Sequence, residues 1–327
     1  MLTNALLSEA RTPDAKPPLR EAAPAPVLEA RSVCVDYGGR RALDGVSFDV
    51  AAGEVFGLIG ANGAGKSTLA RAAAGRATIS SGEIRIVGAP AGGRAARAAL
   101  GLAPQRPALY DRLTARENLV AFARQTGLSR ATATSRATAL LARVGAERYA
   151  DVETRLLSGG ERQRVNIAAA LVHEPAAAIL DEPCASIDPA GVKSFNELIA
   201  DLAGDGIAIL LITHDMAQAE EACDRVGVLV GGRMVANDRP RALVERWTGC
   251  ALELELEIAG DAPPPAAPFA LIGPGRWRAP ATDFDDAARI VTTLQARLEK
   301  PCAVSNLQVR RLGLDAVIAR LADEAAQ

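Results

Sequence analysis

Aromatic residues are scarce in this chain, lysine and histidine scarcer, and a long hydrophobic run is missing. Aromatics make up 3% of the 327 residues, so any core must be packed from aliphatic side chains. No segment reaches the ~18 to 20 consecutive apolar residues that a membrane span needs. The longest candidates, such as Ile207 to Thr213, have the length of a strand. Met1 to Leu7 lacks the basic flank and apolar length of a secretory signal. These absences predict a soluble, cytoplasmic chain that would meet a membrane only through a partner. Charge of one sign is absent too: 37 basic and 39 acidic side chains leave a formal charge of -2, which gives no global attraction to nucleic acid or to an anionic bilayer. The five cysteines (Cys34, Cys184, Cys223, Cys250, Cys302) are odd in number and scattered, without a CxxC pair. That pattern predicts free thiols in a reducing compartment and no metal framework. Only four of the basic residues are lysines (Lys16, Lys66, Lys193, Lys300), so a lysine here can mark a place where a compact point charge is wanted.

Three regions can be told apart by texture. Residues 1–26 carry five prolines and six alanines among scattered charges, a composition expected of a disordered leader. From Val27 to about 248, short apolar runs alternate with glycine-rich turns and Ala/Leu/Arg stretches, as in an α/β domain. Strands are predicted over Glu54 to Ile59, Ala176 to Leu180, Ile207 to Ile212 and Val226 to Val230. Near-continuous apolar runs of this kind suit a parallel sheet covered on both faces. Helices are predicted over Lys66 to Gly75, Thr114 to Thr126, Ala131 to Val144, Gly159 to His173 and Gly191 to Leu202. Residues 249–327 read as a small α+β module. Leu252 to Ile258 alternates apolar with acidic residues, a proline-rich break spans Gly260 to Pro280, and an amphipathic helix runs from Leu314 to about Ala325. The stripe Leu314, Val317, Ile318 and Leu321 is expected to complete the core of that module.

Gly60-Ala61-Asn62-Gly63-Ala64-Gly65-Lys66-Ser67-Thr68 fits GxxxxGK[ST], behind a predicted strand and ahead of a predicted helix. The glycines let backbone N–H groups wrap an anion, and the helix N-terminus adds its positive dipole end. In such a loop Lys66 reaches the terminal phosphates and Ser67 ligates Mg²⁺. The strand Ala176 to Leu180 runs out into Asp181-Glu182-Pro183, where an Asp can hold the Mg²⁺ shell and the Glu can activate a water. Between the two lies Leu157-Ser158-Gly159-Gly160-Glu161-Arg162-Gln163-Arg164. Its Ser158 is an N-cap candidate, and the two glycines leave that helix start open to a second anion.

The run LSGGERQR between a P-loop and a DE pair resembles the signature of ABC ATPases, and the resemblance covers about Val27 to Trp247. It implies a P-loop NTPase core of ABC-cassette type with a helical signature subdomain, followed here by the α+β tail. It implies ATP and Mg²⁺ as ligands and hydrolysis as the activity. Tyr37, just before the first sheet, resembles the aromatic that stacks on adenine. Gln105 resembles the glutamine that touches Mg²⁺ and water and reports to the membrane subunit. Ser186-Ile187-Asp188 resembles the loop that crosses the dimer interface, with Cys184 and Ala185 as departures from the usual residues. His214 resembles the histidine that contacts the γ-phosphate, whereas His173 reads as a helix-end residue of structural use. The resemblance thus assigns Glu182, His214 and Gln105 to catalysis and Ser67, Gln105 and Asp181 to the metal. Tyr37, Gly60, Asn62, Gly63, Gly65, Lys66, Ser67, Thr68, Ser158, Gly159 and Gly160 fall to the nucleotide. It also implies a head-to-tail homodimer with each ATP between the P-loop of one copy and Ser158 and Gly160 of the other.

The partner implied is an integral membrane permease, with the ATPase held on the cytoplasmic face of the inner membrane and no nucleic acid involved. DNA-directed and repair-type members carry long coiled coils or zinc insertions, which the short Lys66 to Ser158 interval lacks, and translation-type members carry two cassettes. A nucleotide-binding regulator without hydrolysis fits poorly with Glu182 and His214 both present. Pro104 to Tyr110 with Leu113 to Asn118, and Gly313-Leu314-Asp315 in the tail, resemble cassettes of type-2 exporters. Export is therefore the expectation, with import or a soluble non-transport ATPase as the alternatives.

Overall fold

The computed structural model describes residues 25–185, 187, 189–250, 252–258, 268–297 and 304–325. Residues 1–24 of the expected leader lie outside this set. The chain opens with a hairpin, β1 (Leu28–Tyr37) and β2 (Arg40–Val50), that turns through Gly38-Gly39. Next come β3 (Val55–Ile59), α1 (Lys66–Ala73), β4 (Ser81–Ile86), β5 (Ala89–Pro90), α2 (Arg94–Ala99) and β6 (Leu100–Ala103). A helical stretch follows in α3 (Ala115–Gln125), α4 (Arg130–Arg143) and α5 (Gly159–Leu171). The chain then alternates: β7 (Ala177–Asp181), α6 (Pro189–Gly204), β8 (Ala208–Ile212), α7 (Met216–Ala222), β9 (Arg225–Val230), β10 (Arg233–Asp238), α8 (Pro240–Thr248). The tail holds β11 (Leu252–Ile258), β12 (Ala270–Gly273), β13 (Arg276–Ala281), α9 (Phe284–Arg297), β14 (Val304–Arg311) and α10 (Leu314–Ala325).

The central sheet has the order β10-β9-β3-β8-β7-β6, parallel except for β10. Strands β3, β7 and β8 are buried at every residue, which is why they read as unbroken apolar runs: both faces are covered. Phe56, Leu58, Leu210 and Ile212 face one core, shared with α1 and an antiparallel sheet of order β2-β1-β4-β5. Ile209, Leu211, Ala178 and Leu180 face the other core, built with α3 to α8. The antiparallel sheet did not stand out in the sequence. Register shifts break β1 at Ala30/Val33, Val33/Val35 and Val35/Asp36, so its apolar residues never keep the period of two that marks a half-buried strand.

Helix starts follow their caps. Thr114 caps α3 in a capping box with Glu117, and Ser129 caps α4.

The tail corrects one expectation. β11 is a strand as expected, and it sits between β13 and β14 in a sheet of order β12-β13-β11-β14. But α10 does not complete that small core. Leu314, Val317 and Leu321 are buried in the larger core with Leu243 and Val244 of α8 and Ala219 of α7. The module's own sheet is covered by α9 through Ala287, Ile290, Val291 and Leu294, spaced i, i+3, i+4 and i+7. With that small apolar face taken, the stripe of α10 finds its burial on α7 and α8, worth about 1.5 to 3 kcal/mol per fully buried large side chain. The Glu220 carboxylate of α7 accepts the Leu314 N–H and so caps α10, and Arg320 donates to the Trp247 carbonyl at 2.7 Å. Among the described residues no helix is long and apolar enough to cross a membrane.

Candidate functional site

The P-loop leaves β3 at Ile59 and enters α1 at Lys66, and its shape requires glycine at both ends. Gly60 has φ 152°, and a Cβ there would lie 2.2 Å from the Leu229 carbonyl oxygen. Gly65, with φ 113°, would put a Cβ 2.7 Å from the Ala42 oxygen. Gly65 is also the N-cap of α1 and supplies no side-chain acceptor, so the first-turn N–H groups point into the loop with the positive end of the helix dipole behind them. Lys66 is 7% exposed, and its Nζ donates to Gly60 O at 2.7 Å and Ala61 O at 3.2 Å. Burial holds the ammonium below the usual lysine range, with the charges of Glu182 and Asp181 acting to restore it.

The facing wall comes from the C-terminal ends of the parallel strands, where open α/β sheets place ligands. Asp181 ends β7, is 9% exposed, and its Oδ1 has no hydrogen-bond partner. Burial, then the neighbouring Glu182 charge, raise its carboxyl above the ordinary range, against Lys66 and Arg71. An orphaned buried carboxylate oxygen, on the residue before Glu182 and felt by Lys66, is chemistry that suits a hard cation such as Mg²⁺ in a cleft that Ser67 and Gln105 also line. Glu182 takes φ 51°, a conformation that costs a non-glycine residue about 1 to 3 kcal/mol. Its N–H donates to Ile212 O at 2.8 Å, and its Oε2 lies 2.7 Å from His214 Nδ1. A strained, buried carboxylate bonded to an imidazole is an arrangement that can take a proton from a water.

A cleft of about 700 Å³ brings together Asn62, Gly63, Gly65, Lys66, Ser67, Thr68, Gln105, Glu182, His214 and Tyr37. Gly60 and Asp181 are not among its lining residues. Tyr37 is not ahead of the first sheet, as expected, but ends β1 at the hairpin. Its ring is half exposed and has the Arg71 guanidinium 5.8 Å from its centroid. The sequence reasoning missed Arg40, Arg41, Arg71 and Gly231-Gly232, all of which line the cleft. A Gly-Gly pair between Tyr37 and Arg40 is a two-residue hairpin signal that could have placed both on one face.

Ser158, Gly159 and Gly160 do not join this cleft. Ser158 caps α5: its Oγ accepts from Glu161 N at 3.4 Å and donates to Glu161 Oε2 at 2.9 Å, while Ser158 N donates to the same oxygen at 3.0 Å. Ser158 and Gly159 are exposed. Ser186 and Asp188 of the interface-loop expectation lie outside the described residues. Cys184 is a free thiol, pushed up to about 11 by burial, and accepts from Gln218 Nε2 at 3.0 Å. His173 sits 3.2 Å from Leu100 O, away from the cleft, in keeping with a structural part.

Comparison with known proteins gives a consistent result. The family described as ABC transporter matches residues 43–185. The Nod factor export ATP-binding protein I of Neorhizobium galegae is 40% identical over 248 residues, 75% of this chain and 71% of that protein. Its counterpart in Rhizobium meliloti is 40% identical over 244 residues, 74% and 72% of the two chains. A solved ATP-binding subunit of an ABC transporter superposes with TM-score 0.62 at 33% identity, over 68% of this chain and 93% of the other. CbiO1 from Clostridium perfringens, part of the ABC transporter complex cbiONQ, gives 0.61 at 32% identity over 67% and 90%. A dimeric bacterial ABC transporter cassette gives 0.60 at 26% over 65% and 98%. This chain belongs to the ABC transporter family, as an ATP-binding subunit that is an ATPase.

Proposed function

We propose that the chain energises an exporter: ATP bound in the P-loop cleft draws two copies together, hydrolysis parts them, and a separate membrane permease at the cytoplasmic face follows the cycle. The observation that carries this reading is the split of the site. P-loop, Gln105, Glu182, His214 and Tyr37 share one cleft, whereas Ser158 and Gly160 stand outside it on an exposed helix start. A signature that cannot serve its own chain's cleft is suited to another copy's. In this reading Tyr37 stacks on adenine, and the P-loop N–H groups with Lys66 take the phosphates. Glu182 receives the proton of the attacking water, held in place by His214. Ser67, Gln105 and Asp181 would hold Mg²⁺, which when bound neutralises charge on the phosphate oxygens. Residues 27–248 would form the cassette and 249–327 the accessory module, with α10 packed back on the cassette.

Export is supported by relatives named for export that match over three quarters of this chain at 40% identity. The likeness to CbiO1, whose description names no direction of transport, is at lower identity over less of the chain. The decisive experiment is size-exclusion chromatography with light scattering on Glu182→Gln. A dimer with ATP and Mg²⁺ that disperses with ADP is expected. A monomer in every nucleotide condition would overturn the homodimer.

A further inference from the structure

Four cations line the cleft, and three of them are engaged. Lys66 is held by the Gly60 and Ala61 carbonyls. Arg41 Nε donates to Asp36 at 3.1 Å and its Nη1 to Asp44 at 3.1 Å. Arg71 donates to Thr68 Oγ1 at 3.3 Å while its guanidinium lies over the Tyr37 ring. Arg40 is exposed and lines the same cleft, and its side chain has no hydrogen bond or ion pair with any described residue. Its place is fixed by the ladder: Tyr37 and Arg40 are directly opposed in the β1/β2 register across Gly38-Gly39. Opposed residues in an antiparallel pair share a face, so the Arg40 and Tyr37 side chains leave the hairpin side by side, and both line the cleft.

We propose that Arg40 is a nucleotide-binding residue that donates to the α-phosphate, a role that rests on the reading of this cleft as the ATP site. A guanidinium carries donors only. A purine edge offers donors and acceptors mixed, whereas phosphate oxygens are all acceptors and match the planar fork. The α1 N-terminus and Lys66 serve the phosphates deepest in the loop. The first phosphate, between loop and ring, is the one a cation beside Tyr37 meets. Arg40 holds the ground state, so its loss should cost affinity and leave the chemical step alone.

The test is competition against a fluorescent ATP analogue on the full-length protein, with ATP, ADP and GTP, at low and high salt. Arg40→Ala should weaken all three by the same factor, roughly 5- to 20-fold, after discounting a charge-assisted contact for exposure. It should flatten the salt dependence and raise the KM for ATP in the turnover assay by a similar factor. Arg40→Lys should recover most of the affinity. Unchanged ATP affinity in Arg40→Ala would overturn the proposal, and so would a loss for ATP but not GTP, which places the contact on the base. Lys66→Ala separates the two readings. If it abolishes binding while Arg40→Ala is silent, Arg40 alone is wrong; if it leaves affinity intact, the cleft itself has been misread.

Discussion

Two of the helices that start beside glycines, α1 and α5, start in different ways. α1 has Gly65 at its N-cap and no side-chain acceptor, so its first-turn donors are kept for a ligand, and buried carboxylates face the loop from the opposite wall. α5 has Ser158 at its N-cap and a complete capping box, so its donors are already partly satisfied, and it faces solvent. An uncapped helix start among buried charges binds strongly and alone. A capped start on the surface contributes only when another molecule is brought to it. The difference fits a site of which one chain makes most and a second chain the remainder.

The largest test of this contrast lies at the wall facing α1. Glu182→Gln should retain ATP binding while turnover falls about 10² to 10⁴-fold, roughly 3 to 5 kcal/mol of barrier, read by phosphate release. Near wild-type turnover would remove Glu182 from the chemistry. At α5, Ser158→Ala should leave ATP binding by the single chain unchanged and lower turnover about tenfold. It should also cost about 1 kcal/mol of stability for the lost cap. If ATP affinity fell instead, the two helix starts would belong to one site. Asp181→Asn should raise the melting temperature without nucleotide, because it removes a buried carboxylate whose Oδ1 is unpartnered, and should weaken the gain in ATP affinity on adding Mg²⁺. A lower melting temperature would show that the charge stabilises the fold.

The smallest effect concerns pH. Hydrogen bonds from the Ser158 N–H and hydroxyl, with Arg148 nearby, hold the Glu161 carboxyl below the usual range. A depressed pKa means that the cap stabilises α5 above the ordinary carboxylate range and is lost as pH falls through the lowered value. Melting curves of the wild type and Glu161→Gln should therefore differ at neutral pH and converge in acid; a constant difference would contradict the cap.

Much of the cleft was legible because phosphate binding needs particular residue types close together in sequence. Gly60 to Thr68 and Asp181-Glu182 are local motifs whose spacing already dictates their geometry. The buried strands were legible for a related reason: Ala208–Ile212 has no polar residue to confuse its run. What escaped was assembled at a distance. Arg40 and Arg71 reach the cleft from a hairpin and from the last turn of α1, without a motif. The antiparallel sheet was hidden by its bulges. The destination of α10 could not be read from its own stripe, since amphipathic periodicity states that a face will be buried and is silent on which surface buries it.

The docking of α10 changes what kind of object the tail is. Leu252, where the module begins, and Arg311, where it ends, are opposite each other in the β11/β14 ladder, so the chain leaves and re-enters the cassette about 5 Å apart. Within the tail, the sheet with α9 is then closed at its neck, while α10, the tail's last helix, packs on the cassette. Cutting at Gly249 would discard that helix and bare Leu243 and Val244, while excising residues 252–311 and joining the stumps by a few residues would return a cassette with its surface whole. The same neck makes the module an exchangeable cartridge: another domain with adjacent ends could be spliced there without interrupting a single strand of the central sheet.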